Sequence, residues 1–427
     1  MRSPHLSRHA RRAFTLIELL VAMTAGIFVA VAAFALARQG SHFFQSETRI
    51  AAAQFSVTLG FDRLRADVTR AGFLSTPNIQ RDPLRCPPGA IDSGWPAGVR
   101  GLGAVRLTAA TPTEAQDATN GLAPDSIDLT GSFASSETFP VRGVFANGAA
   151  FDVYLQTASG PYQRTATNAD LANQDGGAFG ALFRAGRILQ LVDAGGHREY
   201  GVISGYSVNG SGQPIVSLEA SPAIPFATSA TACGVVGFMD GGQASVISRI
   251  RYELRDLNNP GPVPTAYAPL YDAGPVDEGA RFDLVRVEVD STLAEMSDTL
   301  EVVSEWAVDL RFAFTVAAPQ GTDCAASPPA TGPGSNPSLC AFPFGHASNY
   351  LYGGDVSANT GPGPERLRAV RMRLVVRSRE ADRQANIPVD GGIFRYALPG
   401  EAGAPSFSRT RTLAADAQFA NLAGISW

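Results

Sequence analysis

The stretch RRAFTLIELLVAM, Arg11–Met23, decides how this chain is organised. Two arginines lead into an apolar run, and an ionisable residue, Glu18, stands almost at the head of that run. A carboxylate at membrane depth costs about 2.5–3.5 kcal/mol on insertion scales, so its presence there calls for an offsetting interaction. Outward from Glu18, the segment Leu19–Ala37 holds 19 uncharged residues, LLVAMTAGIFVAVAAFALA. As a helix it measures about 28 Å, close to the thickness of a bilayer's hydrocarbon. The leader carries Arg2, Arg8, Arg11 and Arg12, which the positive-inside rule keeps cytoplasmic while everything after Arg38 is exported.

Two readings of this segment compete. The first is a cleaved secretory signal, because Ala35–Ala37 has the small-x-small pattern that signal peptidase accepts. On that reading the mature chain is a secreted, soluble β-rich binding protein or enzyme released at Ala37. The second is a retained helical spine, and two observations favour it. Glu18 is a defect inside a signal's apolar core. The helical pattern also runs on past Ala37: Ile50, Val57, Phe61, Leu64, Val68 and Ala71 recur at heptad-like spacing, with Arg49, Asp62, Arg63, Arg65, Asp67 and Arg70 read onto other faces. No proline interrupts Phe14–Gly72, which as one helix extends about 88 Å. Gly72 is its natural stop.

With those residues in view, RRAFTLIELL resembles the class III prepilin signal of type IV pilins and type II secretion pseudopilins. The resemblance implies cleavage after Ala13, an N-methylated Phe14 as the new first residue, and Glu18 as the fifth. Ala13 departs from the glycine usual at that position. In such a chain the new amine on Phe14 is charged in an apolar setting, and a carboxylate on a neighbouring subunit neutralises it. A buried charge is tolerable when paired and costly alone.

DRLRADVTRAGF, Asp62–Phe73, resembles the helix end of PilW-like minor pilins. FRAGRILQLVDAGGHREYGVISGY, VVSEWAVDLRFAFTV, RAVRMRLVVRSR and RTRTLAADAQFANLAG resemble, in patches, the β-part of the same group. The implied partners are other minor pilins and the major pilin, prepilin peptidase, the inner-membrane assembly platform and a tip adhesin. The implied location is the inner membrane with a periplasmic head before assembly, and the pilus near its tip afterwards. A GspJ-like minor pseudopilin of type II secretion is the nearest alternative.

The expected fold class is α+β: a long N-terminal helix, transmembrane in its first half and amphipathic in its second, packed on a large antiparallel β-rich head. The expected segments are a basic leader (1–13), a transmembrane and assembly helix (14–37), its amphipathic continuation (38–72), a Pro-rich connection (73–98) and the head (99–427). From about Val99 the texture is short apolar runs between turns, among them GAVRLT, DSIDLTG, FDVYLQT, SVISRIRYELRD, RFDLVRVEVDS and RAVRMRLVVRSR. Arg281–Val289 and Val370–Val376 alternate, which predicts sheets with one wet face. TLAEMSDTLEVVSEWAVDL is read as holding a short helix.

Composition excludes several chemistries. All 34 basic residues are arginine, so a P-loop, a kinase phosphate lysine, a Schiff-base lysine and an S-x-x-K pair are impossible. The net charge of −5 grows more negative once the leader is removed, which disfavours broad nucleic-acid binding. The chain contains no H-E-x-x-H, no G-x-S-x-G and no EF-hand loop. No catalytic residue, metal site or cofactor is therefore expected, and the head is read as non-enzymatic. Asp272, Asp277, Glu278 and Asp283 are read as a solvated turn, and His197 as a turn residue. Arg371, Arg373 and Arg377 are read as a solvated sheet face paired with acids. Four cysteines, Cys86, Cys233, Cys324 and Cys340, allow up to two disulfides in an exported chain. Cys324 and Cys340 bracket a Pro- and Gly-rich loop, and bridging them would remove about 3 kcal/mol of loop entropy from the unfolded chain. Cys86–Cys233 is the companion pair.

Overall fold

A computed structural model describes residues 15–87, 91–109, 120–165, 177–225, 233–234, 241–257, 281–318, 338–358, 361–379, 383–384, 395–398 and 406–425. The chain divides into two units, 1–52 and 53–427. One long helix, α1, runs from Leu16 to Arg70, within the span that the absence of proline predicts. In the first unit Leu16–Ser41 is long and apolar enough to cross a membrane, and none of its most apolar window is buried by protein. The one hydroxyl near its middle, Thr24, returns its proton to the Leu20 and Val21 carbonyls. That removes an unsatisfied donor from an apolar setting.

In the second unit α1 turns amphipathic. Val57, Phe61, Leu64, Val68 and Ala71 are buried in the main core, as the spacing predicts. Phe55 and Leu59 remain exposed. The helix ends at Gly72, whose φ of +77° is left-handed and where a Cβ would lie 2.9 Å from Leu422. The Gly72 amide donates to the Thr130 carbonyl at 2.8 Å, so the stop is also a joint to the sheet.

The head is antiparallel throughout its named strands. The first sheet contains β1 (Val105–Thr108), β2 (Ser126–Gly131), β3 (Phe139–Asn147), β4 (Ala150–Leu155), β5 (Ile188–Val192), β6 (Arg198–Val208), β7 (Pro214–Leu218), β8 (Gln243–Arg255), β9 (Asp283–Val289) and β10 (Glu301–Ser304). The 13-residue β8 organises it. Its second half lies between β2 and β9, with Tyr252 opposite Ile127 on one side and Arg286 on the other. Its first half pairs with β5 and, at Phe139 and Pro140, with β3. Because β3, β4, β7, β6 and β5 follow one another in order, β8 closes them into a six-stranded ring. Closure removes the open edges that a flat meander would expose. Phe139, Phe179, Phe183, Leu191, Val216 and Val246 belong to the apolar cluster filling it.

A second sheet is built from β11 (Ala307–Ala318), β12 (Ser338–Ala341), β13 (Leu367–Arg377), β14 (Arg383–Gln384), β15 (Arg395–Leu398) and β16 (Ser406–Gln418), with β12, β11, β13 and β16 side by side. Its inner face, with Leu310, Phe312, Phe314, Val370, Met372 and Leu374, shares one core with β1, β2, β8 and the buried stripe of α1. The α+β expectation holds.

Three local expectations are corrected. TLAEMSDTLEVVSEWAVDL forms no helix: it makes turns, then β10, then the start of β11. Val302 pairs with Val285, and this β-branched contact outweighs a weak helical spacing. The polar positions of Arg281–Val289 do not make a wet face. Asp283 and Glu288, on opposite faces of the strand, are both buried and paired with Arg281 and Arg187, since both faces of β9 are covered. Arg377, read as solvated, is 2% exposed and stacks over Trp306 at 4.4 Å and Tyr396 at 5.1 Å. Arg371 and Arg373 do pair with acids, Asp416 and Asp309.

The Pro-rich connection and the residues just after it lie along the ring's outside, where Ile79, Val99 and Leu102 pack with Ile188, Tyr200 and Val202. Cys86 is bridged to Cys233 across 147 residues of sequence. Cys340 is also disulfide-bonded, and Cys324, its expected partner, lies outside the described residues. Changing Cys86 and Cys233 together to serine is expected to destabilise the head by about 2–5 kcal/mol. Denaturant melts of oxidised wild type and variant check this, and coincident melts would show that the bridge adds nothing.

Candidate functional site

Two regions carry the constellations of interest, one in each unit. In the first, Thr15 and Glu18 form a reciprocal cap at the start of α1. The Thr15 amide and hydroxyl donate to Glu18 Oε2 at 3.0 and 3.1 Å, and the Glu18 amide donates to Thr15 Oγ1 at 3.2 Å. This is the T-x-x-E capping box, which satisfies two helix-end donors at once. A negative group in the first turn also sits favourably in the helix dipole. Glu18 thus has a local partner within its own chain, which the spacing of Thr15 and Glu18 already encodes. Both residues are exposed, so the cap leaves the carboxylate accessible to a second molecule. Ala13 and Phe14, the expected processing residues, lie outside the described residues.

In the second unit a polar clamp fixes α1 to the sheets. Asp67, read from its spacing as facing away, is buried. It accepts from the Tyr252 hydroxyl at 2.8 Å and from Arg286 Nε at 2.8 Å. Arg286 continues to Glu301 at 3.5 Å, and Glu301 to Arg63 at 3.6 Å, so two helix residues grip one arginine and one glutamate of the sheet. Burial, reinforced by the Asp67 charge, pushes the Tyr252 phenol far above its ordinary value, so it stays protonated as a donor. One turn or more toward the membrane end, a Cβ at Gly60 would lie 2.8 Å from Ser304 Cβ. The absent side chain lets α1 touch β10 there, and the Ser56 and Ser304 hydroxyls meet at 3.1 Å.

At the other end, Asn421 donates to the carbonyls of Thr69 at 3.2 Å and Ala71 at 3.1 Å. Arg70 donates to the Ser132 carbonyl at 2.8 Å. Asn421 of the C-terminal segment thereby satisfies the Thr69 carbonyl, while those of Val68 and Arg70 accept from the Ala71 and Phe73 amides. The signal for this clamp was present in the sequence. Gly60 and Asp67 are seven residues apart and fall on the same helical stripe as Phe61, Leu64 and Val68.

Other flagged groups sit in ordinary structural roles. His197 is held in the β5–β6 turn, its amide donating to Asp193 Oδ1 at 2.7 Å and its Nδ1 2.9 Å from Oδ2. Of the acidic turn only Asp283 is described, and the solvated reading fails for it: it is buried at the start of β9, accepts from the Trp306 amide at 2.9 Å and pairs with Arg281.

The family described as the prokaryotic N-terminal methylation motif matches residues 8–34. The chain is pilin-like or pseudopilin-like. It carries a prepilin-class motif, one helix able to span a membrane, and a large β-rich head on which the second part of that helix packs. The match includes Ala13, Phe14 and Glu18 and ends within the apolar run. No curated protein and no solved structure matches the chain.

Proposed function

We propose that this pilin-like chain is a PilW-like minor pilin of a type IV pilus, acting non-enzymatically in the priming or tip complex that starts a filament. The observation that carries the reading is the position of Glu18. It is a capped but accessible carboxylate at the first turn of a membrane-length helix, inside a methylation motif. Prepilin peptidase cuts after Ala13 and the Phe14 amine is methylated. Glu18 of one subunit then meets the charged amine of another as both leave the lipid. Pairing removes the cost of two isolated charges and ties release from the bilayer to correct docking. The 355 residues from Phe73 to Trp427 make a bulky head for a shaft subunit, which favours a rare position near the tip.

A GspJ-like minor pseudopilin is the second reading, because the same motif serves both machines. Sheared pili probed for this chain separate them: recovery with the filament supports the pilus, and its absence from filaments with retention in a secretion assembly supports the pseudopilin.

Mass spectrometry of the mature N-terminus tests the processing step. N-methylated Phe14 is the expected result, whereas a chain beginning at Arg38 would establish the secreted protein instead.

A further inference from the structure

Glu199 is a buried acid: it is 0% exposed, and neither of its carboxyl oxygens has a hydrogen-bond partner. Its place on β6 explains where it goes. Successive residues of a strand face opposite ways, and Tyr200 and Val202 pack outward under the Pro-rich connection. Glu199 therefore shares its face with Gly201, where a Cβ would lie 2.7 Å from Leu218, and with Ile203, a member of the ring's core. Its neighbour across the ladder is Leu191, also of that core. An acid thus points into the apolar interior of the six-stranded ring, at its β5–β6 end.

Along that end of β6 runs a strap, Asp82–Cys86, stitched to the residue immediately before Glu199. The Arg198 amide donates to the Leu84 carbonyl and the Cys86 amide to the Arg198 carbonyl, both at 2.7 Å. Arg198 also pairs with Asp82 at 2.9 Å, and Cys86 is tied to Cys233. The charged groups near Glu199 are Arg85 of the strap and, beyond it, the Asp82–Arg198 pair; β5 contributes only Leu191 at the facing position. Arg85 Nη1 is committed to the Pro87 carbonyl at 2.8 Å.

We propose that Glu199 is the latch of a pH-gated mouth: its protonated carboxyl is sealed in the ring by the Asp82–Cys86 strap, its ionisation lifts that strap from β6, and the Cys86–Cys233 disulfide limits the opening. Burial, opposed by the Arg85 charge, holds the carboxyl up at about 9 against an ordinary 4.5. The sign follows from linkage. The closed form keeps its proton and an opened, hydrated Glu199 gives it up. Closure is therefore complete below about pH 4.5 and is lost as pH rises toward 9, by about tenfold in the opening equilibrium per pH unit.

The test uses the full-length oxidised chain in detergent micelles. Hydrogen exchange at the Cys86 and Arg198 amides, which are the two stitches, is divided by the intrinsic rate at each pH to give protection factors. From about pH 6 to about pH 8, wild type is expected to lose roughly a hundredfold in protection at these two amides. Amides of the second sheet are expected to hold theirs. Glu199→Gln keeps the shape and removes the titration, so its protection is expected to be flat over the same range. The Cys86→Ser/Cys233→Ser variant should show the wild-type slope at lower overall protection. A flat wild-type profile overturns the proposal without reference to any variant, and so does a Glu199→Gln profile parallel to wild type.

Discussion

If the chain is the minor pilin proposed above, Glu18→Ala is expected to leave synthesis, membrane insertion and cleavage after Ala13 intact, and to lower incorporation into filaments at least tenfold. The carboxylate opposes insertion by about 2.5–3.5 kcal/mol, so its removal does not impair entry into the bilayer. It does remove the Thr15–Glu18 cap, worth about 1 kcal/mol at a helix start. A long apolar helix in lipid tolerates that loss. Two roles of Glu18, the cap within its own chain and the charge offered to a neighbour, are separable by Glu18→Gln. Glutamine serves the T-x-x-E/Q box as glutamate does, but it carries no charge. If pairing with the Phe14 amine governs assembly, Glu18→Gln fails like Glu18→Ala. If capping governs it, Glu18→Gln restores incorporation. Immunoblots of sheared pili against total membrane protein read the outcome, and wild-type incorporation by both variants would remove the basis for the paired-charge mechanism.

Asp67→Ala is expected to destabilise the head by about 3–5 kcal/mol. It takes the nearer carboxylate from the partly buried Arg286 guanidinium, leaving only Glu301 at 3.5 Å, and leaves the buried Tyr252 hydroxyl without its acceptor. Removing a buried acceptor that serves both a phenol and a guanidinium costs far more than those contacts contributed net, because both donors lose their closest partner. The outer pair of the clamp, Arg63 with Glu301, is nearly half exposed on both sides, so Glu301→Ala is expected to cost under about 1 kcal/mol. Asp67→Asn keeps an acceptor for Tyr252 and loses the charge, and should fall between the two. Denaturant unfolding in micelles measures all three. Equal costs for Asp67→Ala and Glu301→Ala would show that burial of the clamp does not matter. If the clamp is what joins α1 to the head, exchange in residues 53–70 should also rise in Asp67→Ala before global unfolding.

Much of the architecture was legible because it rests on local pattern. Val57, Phe61, Leu64 and Val68 are buried as their spacing requires, and the helix stops at Gly72. Most strands stand where alternation placed them. Those that escaped have identifiable reasons. The β3 segment FPVRGVFAN contains Pro140 and Gly143, both of which weaken a strand signal, and it enters the sheet through pairing with β4 and two residues of β8. The segment before β11 has an ambiguous period, and its fate is set by the partner β9 provides. Asp67, Glu199 and Arg377 share another failing of local reading. Each is a charged residue at a position that polarity assigns to solvent, and each is covered by an element distant in sequence.

The sequence by itself determined the long uninterrupted helix, its membrane-length first half, the place of Glu18 at its head and the α+β class. Periodicity, the absence of proline and the T-x-x-E spacing are properties of neighbouring residues, and they act wherever the chain goes. Only the tertiary structure decided that β8 closes a six-stranded ring and that Cys86 meets Cys233. The same holds for the burial of Asp67 against Tyr252 and Arg286, and of Glu199 in an apolar interior. These depend on contacts between residues up to more than two hundred positions apart. Burial turns an ordinary carboxylate into a clamp or a latch, and burial is a property of the assembled fold.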